Sequence, residues 1–336
     1  MMLPADHPSI ATPRVGVLLI NLGTPDAPDP ASVRRYLAEF LSDPRVVEIP
    51  RLIWQPILHG VILTTRPKKS AHAYQQVWMT EGSPLAVHTR DTAAALQRAM
   101  GQDAVVDWAM RYGNPSIASR LAAMKAQGCE RILLAPLYPQ YSAATTATAL
   151  DAAFAAMAKM RWQPAVRSLP PYHDDPAYIE ALRLSITQQM AALDFKPDAL
   201  LASFHGMPER TLHLGDPYHC HAVKTVRLLQ EALSLPVHMS FQSRFGRAKW
   251  LEPETEATLT RLVKEGVRNI AVVTPGFSAD CLETLEEIGL RAKEVFLAEG
   301  GEKFAFLPCL NASPEAITLY QRLVGRELSG WVDQRV

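Results

Sequence analysis

Short runs rich in Val, Ile, Leu and Ala alternate with longer amphipathic stretches along nearly the whole chain of 336 residues. The runs that predict strands are residues 15–20, 105–110, 131–137, 165–169, 199–204, 237–241, 269–274 and 304–307. The stretches that predict helices are residues 31–41, 116–127, 144–160, 176–193, 221–233, 254–265, 281–298 and 314–328. Strands that alternate with helices of this length form βαβ units in an α/β fold with a parallel sheet. Because the strands are apolar on both faces, we expect helices on both sides of each sheet.

The second half of the chain repeats the pattern of the first. A helix ending at Gly128 precedes a strand that runs into Pro136, and a helix ending at Gly266 precedes a strand that runs into Pro275. We therefore expect two similar Rossmann-like halves, each with a four-stranded type of parallel sheet, around a shared cleft. The prolines at 164, 170 and 171 predict the boundary between the two halves. The N-terminal half then spans 14–165 and the C-terminal half spans 166–312. The last helix, within 313–330, is expected to pack back on the first half.

The composition excludes several classes of protein. Lys plus Arg and Asp plus Glu number 34 each, so the balanced charge gives no reason to expect a nucleic acid partner. The four cysteines are widely spaced, which argues against a zinc finger or a disulfide scaffold and is typical of a reducing compartment. The sequence shows neither a secretory signal nor an apolar run of the roughly 18 residues that span a bilayer. Glycine-rich phosphate loops and nucleophile elbows are also missing, and we expect a cytoplasmic protein.

A histidine follows the apolar strand at 199–204. His205 lies in the sequence SFHGMP, residues 203–208, where Gly206 and Pro208 make a turn. In open α/β sheets, ligands bind at the carboxyl ends of the strands. An imidazole there can take up a proton or ligate a metal near neutral pH. The alternative is a turn histidine that is hydrogen-bonded to nearby backbone, and the hexapeptide alone fits both.

Two carboxylates follow another strand end. Glu283 and Glu287 lie four residues apart in the helix predicted after residue 274, so they share one helical face. If that face lines the cleft, the pair suits proton transfer. The alternative is that acidic residues in the first turn only stabilise the helix dipole. His213, His219 and His221 resemble a metal cluster, but residues two apart at a helix start do not share a face.

Residues 52–63 are unusually apolar and are followed closely by three basic residues. A core helix interrupted by Pro56 would explain the segment. The alternative is a lip over a large apolar ligand that rests on a membrane surface, with the basic residues toward the lipid headgroups. Arg111, Tyr112 and the sequence YPQYS at 138–142 end two further strands and add a cation, aromatic faces and hydroxyls. An extended planar anion would need that combination.

Taken together and in order, these segments resemble the ferrochelatases, the enzymes that insert ferrous iron into protoporphyrin at the end of haem synthesis. The resemblance runs from about residue 15 to residue 310. The segments that carry it are NLGTP at 21–25, EGSPL at 81–85, RY at 111–112, YPQYS at 138–142, SFHGMP at 203–208, GDPY at 215–218, FQS at 241–243, WL at 250–251 and DCLETL at 280–285. Each is weak alone, whereas the ordered set is specific. The resemblance implies two Rossmann-like halves around a porphyrin cleft, in agreement with the duplication.

The resemblance also assigns a role to each matching residue. It implies that His205 and Glu283 are the catalytic pair and the residues that meet the metal. It implies that Glu287 belongs to a polar path for protons or metal that leads from the site. The residues that it places against the porphyrin are Leu22, Trp54, Arg111, Tyr112 and Ser142.

The sequence departs from the family pattern at three places. Cys281 stands where many animal enzymes have a second histidine, which weighs against a metal route through that position. Leu22 stands where some bacterial relatives that act on coproporphyrin carry tyrosine, which favours protoporphyrin IX. Ala143 stands where members with an iron–sulfur cluster commonly carry a cysteine, and the C-terminal cysteine extension of those members is missing. We therefore expect no iron–sulfur cluster and no other prosthetic group.

The expectation is a lyase of the metal chelatase type, with ferrous iron and protoporphyrin IX as substrates. It would lie in the cytoplasm, in peripheral contact with the inner membrane face through the apolar lip, and would bind no nucleic acid. The alternatives left open are an iron chelatase for coproporphyrin, a cobalt chelatase for another tetrapyrrole, and a porphyrin or haem carrier without catalysis. A carrier would not need a His–carboxylate pair across the cleft.

Overall fold

The computed structural model describes residues 12–332, apart from residues 245 and 247. Every predicted strand is present within one to four residues of its expected ends. The strands are β1 Arg14–Thr24, β2 Val105–Gly113, β3 Cys129–Pro136, β4 Ala165–Ser168, β5 Ala199–His205, β6 Val237–Gln242, β7 Asn269–Val273 and β8 Lys303–Phe306. Their apolar, β-branched runs are the residue types that pack on a sheet covered on both faces.

Both sheets are parallel and share one strand order. The first has the order β2-β1-β3-β4, and the second has the order β6-β5-β7-β8. The expected duplicated α/β fold with two four-stranded parallel sheets is therefore confirmed. β4 pairs with β3, so the first sheet extends to Ser168, past the predicted boundary at residue 165. Because parallel strands end at one edge, each half collects the loops after its strands there.

The described residues form twelve α-helices and three π-helical segments. The α-helices are α1 Pro30–Leu41, α2 Arg51–Ile57, α3 Leu63–Val77, α4 Pro84–Met100, α5 Ile117–Ala126, α6 Thr148–Met157, α7 Pro176–Ala191, α8 Glu209–His213, α9 Tyr218–Ala232, α10 Thr255–Lys264, α11 Lys293–Ala298 and α12 Pro314–Glu327. The π-helical segments are Leu58–Ile62, Ala143–Ala147 and Glu283–Ala292. In these segments each N–H bonds to the carbonyl five residues back, and such turns are frequent at functional sites.

Two helical regions differ from the sequence expectation. The helices predicted at 144–160 and 281–298 both begin as π-helix and continue as α6 and α11. Periodicity did not separate the two types, because both bury one stripe of side chains. α4 has no counterpart among the predicted helices, since the buried Thr89 and Thr92 interrupt its apolar stripe.

The apolar lip, residues 52–63, spans most of α2, a π-helical segment and the start of α3. Pro56 lies inside α2 and removes one backbone N–H donor, and the wider π-turn follows it directly. One side of the lip buries Trp54 and Leu58, whereas Leu52 is 93% exposed. The segment is therefore part core and part exposed apolar ridge, which combines the two sequence interpretations.

The two halves share buried packing. One hydrophobic cluster contains Leu133 of β3, Leu200 of β5 and Leu319 of α12. α12 packs against α4 and β3 of the first half and against α7. Among the helices of residues 12–332, with 245 and 247 left aside, none is long and apolar enough to cross a bilayer.

Candidate active site

A cleft lies where the carboxyl ends of the two sheets meet. Its wall includes Leu22 at the end of β1, Tyr138 after β3, His205 at the end of β5 and Phe277 after β7. Residues from both halves therefore line one space, as the duplicated pattern predicts.

His205 lines the cleft with one ring nitrogen already bonded. Its Nδ1 lies 2.7 Å from the Gly206 carbonyl oxygen, which can only accept a hydrogen bond. Nδ1 must therefore carry the proton, and the lone pair of the neutral ring is on Nε2. The backbone bond anticipated for a turn histidine is present, and it fixes the tautomer that can take up a proton or meet a metal.

Glu283 is the first residue of the third π-helical segment and lines the same cleft. The Gln242 side-chain amide donates to its backbone carbonyl over 2.7 Å, and Ser203 Oγ donates to Gln242 Oε1 over 2.8 Å. These bonds tie the start of the π-helical segment to the ends of β5 and β6. The strand that carries His205 thus also positions the backbone of Glu283.

A buried carboxylate fixes the turn before Glu283. Asp280 is 3% exposed and accepts hydrogen bonds from Thr284 Oγ1 at 3.0 Å and from Asn311 Nδ2 at 2.7 Å. Its backbone N–H donates in return to Asn311 Oδ1 over 2.8 Å. Asp280 therefore anchors the turn before Glu283 to the segment before α12.

The remaining ionisable groups in the wall are held neutral. Burial raises the pKa of each above its ordinary value, and for two of them the nearby Glu283 carboxylate adds to the effect. The groups are Tyr74, Tyr138, Tyr218 and Cys281, of which Tyr74 and Cys281 feel Glu283. His205 and Glu283 are the other ionisable side chains of the wall.

Glu287 does not line the cleft and is bonded on the other side of the π-helical segment. Its two oxygens accept from the Ser243 N–H at 2.8 Å and from Ser243 Oγ at 2.5 Å, and Arg291 Nη2 lies 3.7 Å away. Glu283 and Glu287 therefore do not lie together in the cleft wall, as they would if a shared face lined it.

Comparison with known proteins identifies the family. The sequence model of the ferrochelatase family matches residues 14–328. The chain belongs to the ferrochelatase family. A ferrochelatase of Rhizobium meliloti is 56% identical over 97% of this chain and 98% of its own length, and one of Agrobacterium fabrum is 54% identical over 98% of both. The prediction of an iron-inserting enzyme of this family is thereby confirmed.

A solved chelatase structure agrees with the fold of this ferrochelatase family member. SirB from Bacillus subtilis with Fe³⁺ superposes with a TM-score of 0.55 at 16% identity, over 75% of this chain and 95% of SirB. At that identity the likeness shows the fold alone. It supports the expected chelatase-type arrangement of two Rossmann-like halves.

The ferrochelatase resemblance assigned five residues to the porphyrin. In the structure these residues fall into two groups. Leu22 lies in the cleft wall. Arg111 and Tyr112 lie beside the wall, where both bond to Asp43, whose side chain is 8% exposed. The Arg111 guanidinium also stacks 4.2 Å above the Tyr112 ring. These two side chains are therefore held within the protein rather than at the cleft surface.

Trp54 and Ser142 are also bonded within the protein. Trp54 is 7% exposed, and its indole N–H donates to the carbonyl of Leu41 over 2.6 Å. Ser142 is 1% exposed, and its hydroxyl donates to Asp216 over 3.1 Å. Neither residue is part of the cleft wall described above, and their contact with porphyrin stays a prediction.

Tyr74 and Tyr218 are among the cleft residues that the sequence reasoning did not name as site residues. Tyr74 lies on α3, and the polar run after the lip gave no signal of a helix there. Tyr218 belongs to the GDPY segment, whose resemblance could have indicated it. Its hydroxyl donates to the His205 carbonyl over 2.9 Å.

His221 of α9 stacks on His173, which precedes α7, rather than joining a metal site with His213 and His219. The rings of His173 and His221 lie 3.6 Å apart and nearly parallel. Burial lowers the pKa of His173 to about 4, and the adjacent His221 ring contributes. Burial lowers the pKa of His221 as well. In residues 12–332, without 245 and 247, no three His, Cys, Asp or Glu side chains group closely enough to hold a metal ion.

We expect replacement of Trp54 by phenylalanine to weaken folding rather than porphyrin binding. W54F removes the bond to the Leu41 carbonyl inside a packed core and should cost about 1–2 kcal/mol of unfolding free energy. Urea unfolding and porphyrin fluorescence titration measure the two quantities. W162F changes an exposed tryptophan and should alter neither. A porphyrin affinity that falls with unchanged stability would instead place Trp54 at the ligand.

We expect the stacked histidines to make the fold sensitive to acid. His173 has a pKa of about 4 when folded and an ordinary value of 6.5, so the unfolded chain binds more protons between those values. Stability contributed by His173 is therefore complete above about pH 6.5 and lost as the pH falls to about 4. The thermal midpoint of H173F should fall less over this range than that of the wild type or of H213F. Equal pH dependence in all three proteins would contradict this origin.

Proposed function

We propose that the cleft inserts ferrous iron into protoporphyrin IX, with His205 and Glu283 handling the pyrrole protons and the incoming metal. The observation that carries the proposal is their placement in one cleft wall whose other ionisable groups are held neutral. Family membership supports iron and a porphyrin as the substrates. The assignment of roles to the two residues rests on their chemistry and placement.

The reaction exchanges two pyrrole N–H protons for one Fe²⁺ ion, so charge is balanced when two protons leave. His205 Nε2 has the free lone pair that can accept a pyrrole proton. The Glu283 carboxylate stabilises positive charge on the same cleft, whether on the imidazolium or on the metal. The His205 imidazole and the Glu283 carboxylate can also act as transient ligands of the iron substrate as it loses its bound water. Glu287 would then pass protons outward through the Ser243 side of the π-helical segment.

The rest of the wall suits a large apolar ring. Leu22, Leu85, Leu137, Phe277 and Leu282 line the cleft. Such walls exclude water and strengthen the electrostatic effect of the few charged groups inside. Leu22 offers no hydroxyl for the extra carboxylates of coproporphyrin, which supports protoporphyrin IX. No observation favours a cobalt chelatase or a carrier.

We also propose that the enzyme works without a resident cofactor. The four cysteines are free thiols at widely spaced positions, and Cys129 and Cys281 are buried in different clusters. The balanced charge of the chain likewise supports a partner other than nucleic acid.

Removal of the imidazole tests the catalytic assignment. H205A should lower the kcat of iron insertion by at least about 100-fold, the range of general acid–base catalysis, with porphyrin affinity within threefold of wild type. E283Q should behave similarly, because it removes the charge and keeps the shape. Absorbance of the porphyrin bands follows turnover, and fluorescence titration gives affinity.

Matched controls come from the same elements. E286Q changes a carboxylate that pairs with Arg291 on the π-helical segment, and it should retain activity. Near-normal turnover of H205A would refute the role of His205. Failure of the wild type to metallate porphyrin would refute the function itself.

The apolar lip supports a peripheral contact with a bilayer. Leu52, Ile53 and Val61 are 93%, 58% and 55% exposed, a density of apolar surface that is unusual for a water-facing helix. Lys68 and Lys69 follow on α3 and are exposed. We propose that the lip inserts shallowly into an anionic membrane surface while basic residues lie at the headgroups, on the cytoplasmic face.

Charge placed on the lip should release the protein from membranes. The double variant L52D/I53D should co-sediment with vesicles of phosphatidylglycerol and phosphatidylcholine several-fold less than wild type. L297D alters an exposed leucine of α11 and should bind like the wild type. Equal sedimentation of the lip variant and the control would rule out the lip as the contact.

A further inference from the structure

The loop that follows β3 in the first half is held by a helix of the second half. This β3 loop, residues 137–142, contributes Tyr138 and Gln140 to the cleft wall. The Gln140 side-chain amide donates to Thr225 Oγ1 over 3.1 Å, and the Tyr141 N–H donates to His221 Nδ1 over 3.2 Å. Both acceptors lie on α9, so one helix fixes both a side chain and the backbone of the loop.

Asp216, just before α9, completes this junction with one carboxylate. Its Oδ2 accepts from the Ala143 N–H at 2.8 Å and from the Ser142 hydroxyl at 3.1 Å. Its Oδ1 accepts from the Tyr218 N–H at 3.0 Å. Hydrogen bonds to an ionised carboxylate are stronger than those between neutral groups. The carboxylate therefore bridges the end of the β3 loop and the start of α9.

The same short segment reaches the proposed catalytic histidine. Tyr218 lines the cleft, and its hydroxyl donates to the His205 carbonyl over 2.9 Å. Asp216 holds the backbone of Tyr218. A continuous chain of hydrogen bonds thus runs from the β3 loop through Asp216 and Tyr218 to His205.

His221 contributes to the junction only as a neutral ring. Its Nδ1 accepts from the Tyr141 N–H, so its proton is on Nε2. Burial lowers the pKa of His221 and favours the neutral ring, Asp174 and Asp216 oppose this effect, and Lys224 adds to it. The acceptor needed by the loop is therefore present at neutral pH.

We propose that Asp216 is a positioning residue for iron insertion, which acts with His221 and Thr225 to set the distance between the β3 loop and His205. This inference rests on the proposed function of the cleft. Asp216 is not part of the cleft wall, so it acts through the residues that it holds. Reacting groups must be held within about 0.5 Å for efficient catalysis, and a loop from the other half needs such an anchor to meet that tolerance.

The D216N variant tests the proposal. Asparagine has the same size as aspartate, but its N–H₂ group must face either the Ala143 N–H or the Tyr218 N–H, and two donors cannot form a hydrogen bond. We expect kcat/KM for porphyrin to fall at least tenfold, with KM for iron unchanged and the thermal midpoint close to that of the control. The control is D174N, which removes an exposed carboxylate that pairs with Lys224 on α9. It should remain within twofold of the wild type, and D216E should recover part of the loss.

A double-variant cycle separates positioning from general damage. S142A and D216N both remove the hydrogen bond between Ser142 and Asp216. The fold loss in kcat/KM of the double variant should therefore be smaller than the product of the two single losses. A D216N activity within twofold of D174N, or fully multiplicative losses, would overturn the proposal. If D216N does not fold, H221F is the second test, because it keeps the ring stack and removes the Nδ1 acceptor of the Tyr141 N–H. H221F should show the same loss in kcat/KM. Retained activity of H221F would overturn the proposal. An inactive wild type would instead refute the function of the cleft.

Discussion

The meeting of two parallel sheets at their carboxyl ends is the constraint on which the site depends. Asn21 at the end of β1 donates to Ser278 after β7 over 3.3 Å, although the two are 257 positions apart in sequence. A parallel sheet gathers its loops at one edge, and a duplicated sheet supplies a second such edge. Facing the edges toward each other brings His205 and Glu283 to the wall that also contains Leu22. Hydrogen bonds between the two sheet edges, such as that from Asn21 to Ser278, therefore help to set the shape of the cleft.

Three aspartates hold the rim of that cleft, and none of them is part of its wall. Asp43 bonds Arg111 and Tyr112, Asp216 bonds the end of the β3 loop, and Asp280 bonds Asn311 and the turn before Glu283. Each carboxylate is satisfied by several donors, which offsets the cost of partial burial. These three carboxylates therefore hold the shape of the cleft, whereas His205 and Glu283 lie in its wall.

The strands could be predicted from the sequence because a strand buried on both faces is a nearly continuous apolar run. The place of His205 in the cleft could be predicted as well, since His205 directly follows such a run and strand ends define the edge of a sheet. α4 and the π-helical segments, one of which lies within the lip, could not be predicted. Pro56 and the buried threonines of α4 disturb the periodicity, and the choice between i→i+4 and i→i+5 bonding depends on tertiary contacts rather than on local pattern.

The orientation of side chains was the harder inference, and Glu287 shows why. Its spacing from Glu283 matches one face of a helix, but its carboxylate bonds to Ser243 and is not among the groups that line the cleft. Trp54 likewise sits in the lip by sequence yet turns inward to the carbonyl of Leu41. A motif determines where the backbone of a residue lies, whereas the direction of its side chain follows from the donors and acceptors around it. Residues of one motif can thus differ in direction, since Glu283 faces the cleft whereas Asp280 bonds to Asn311.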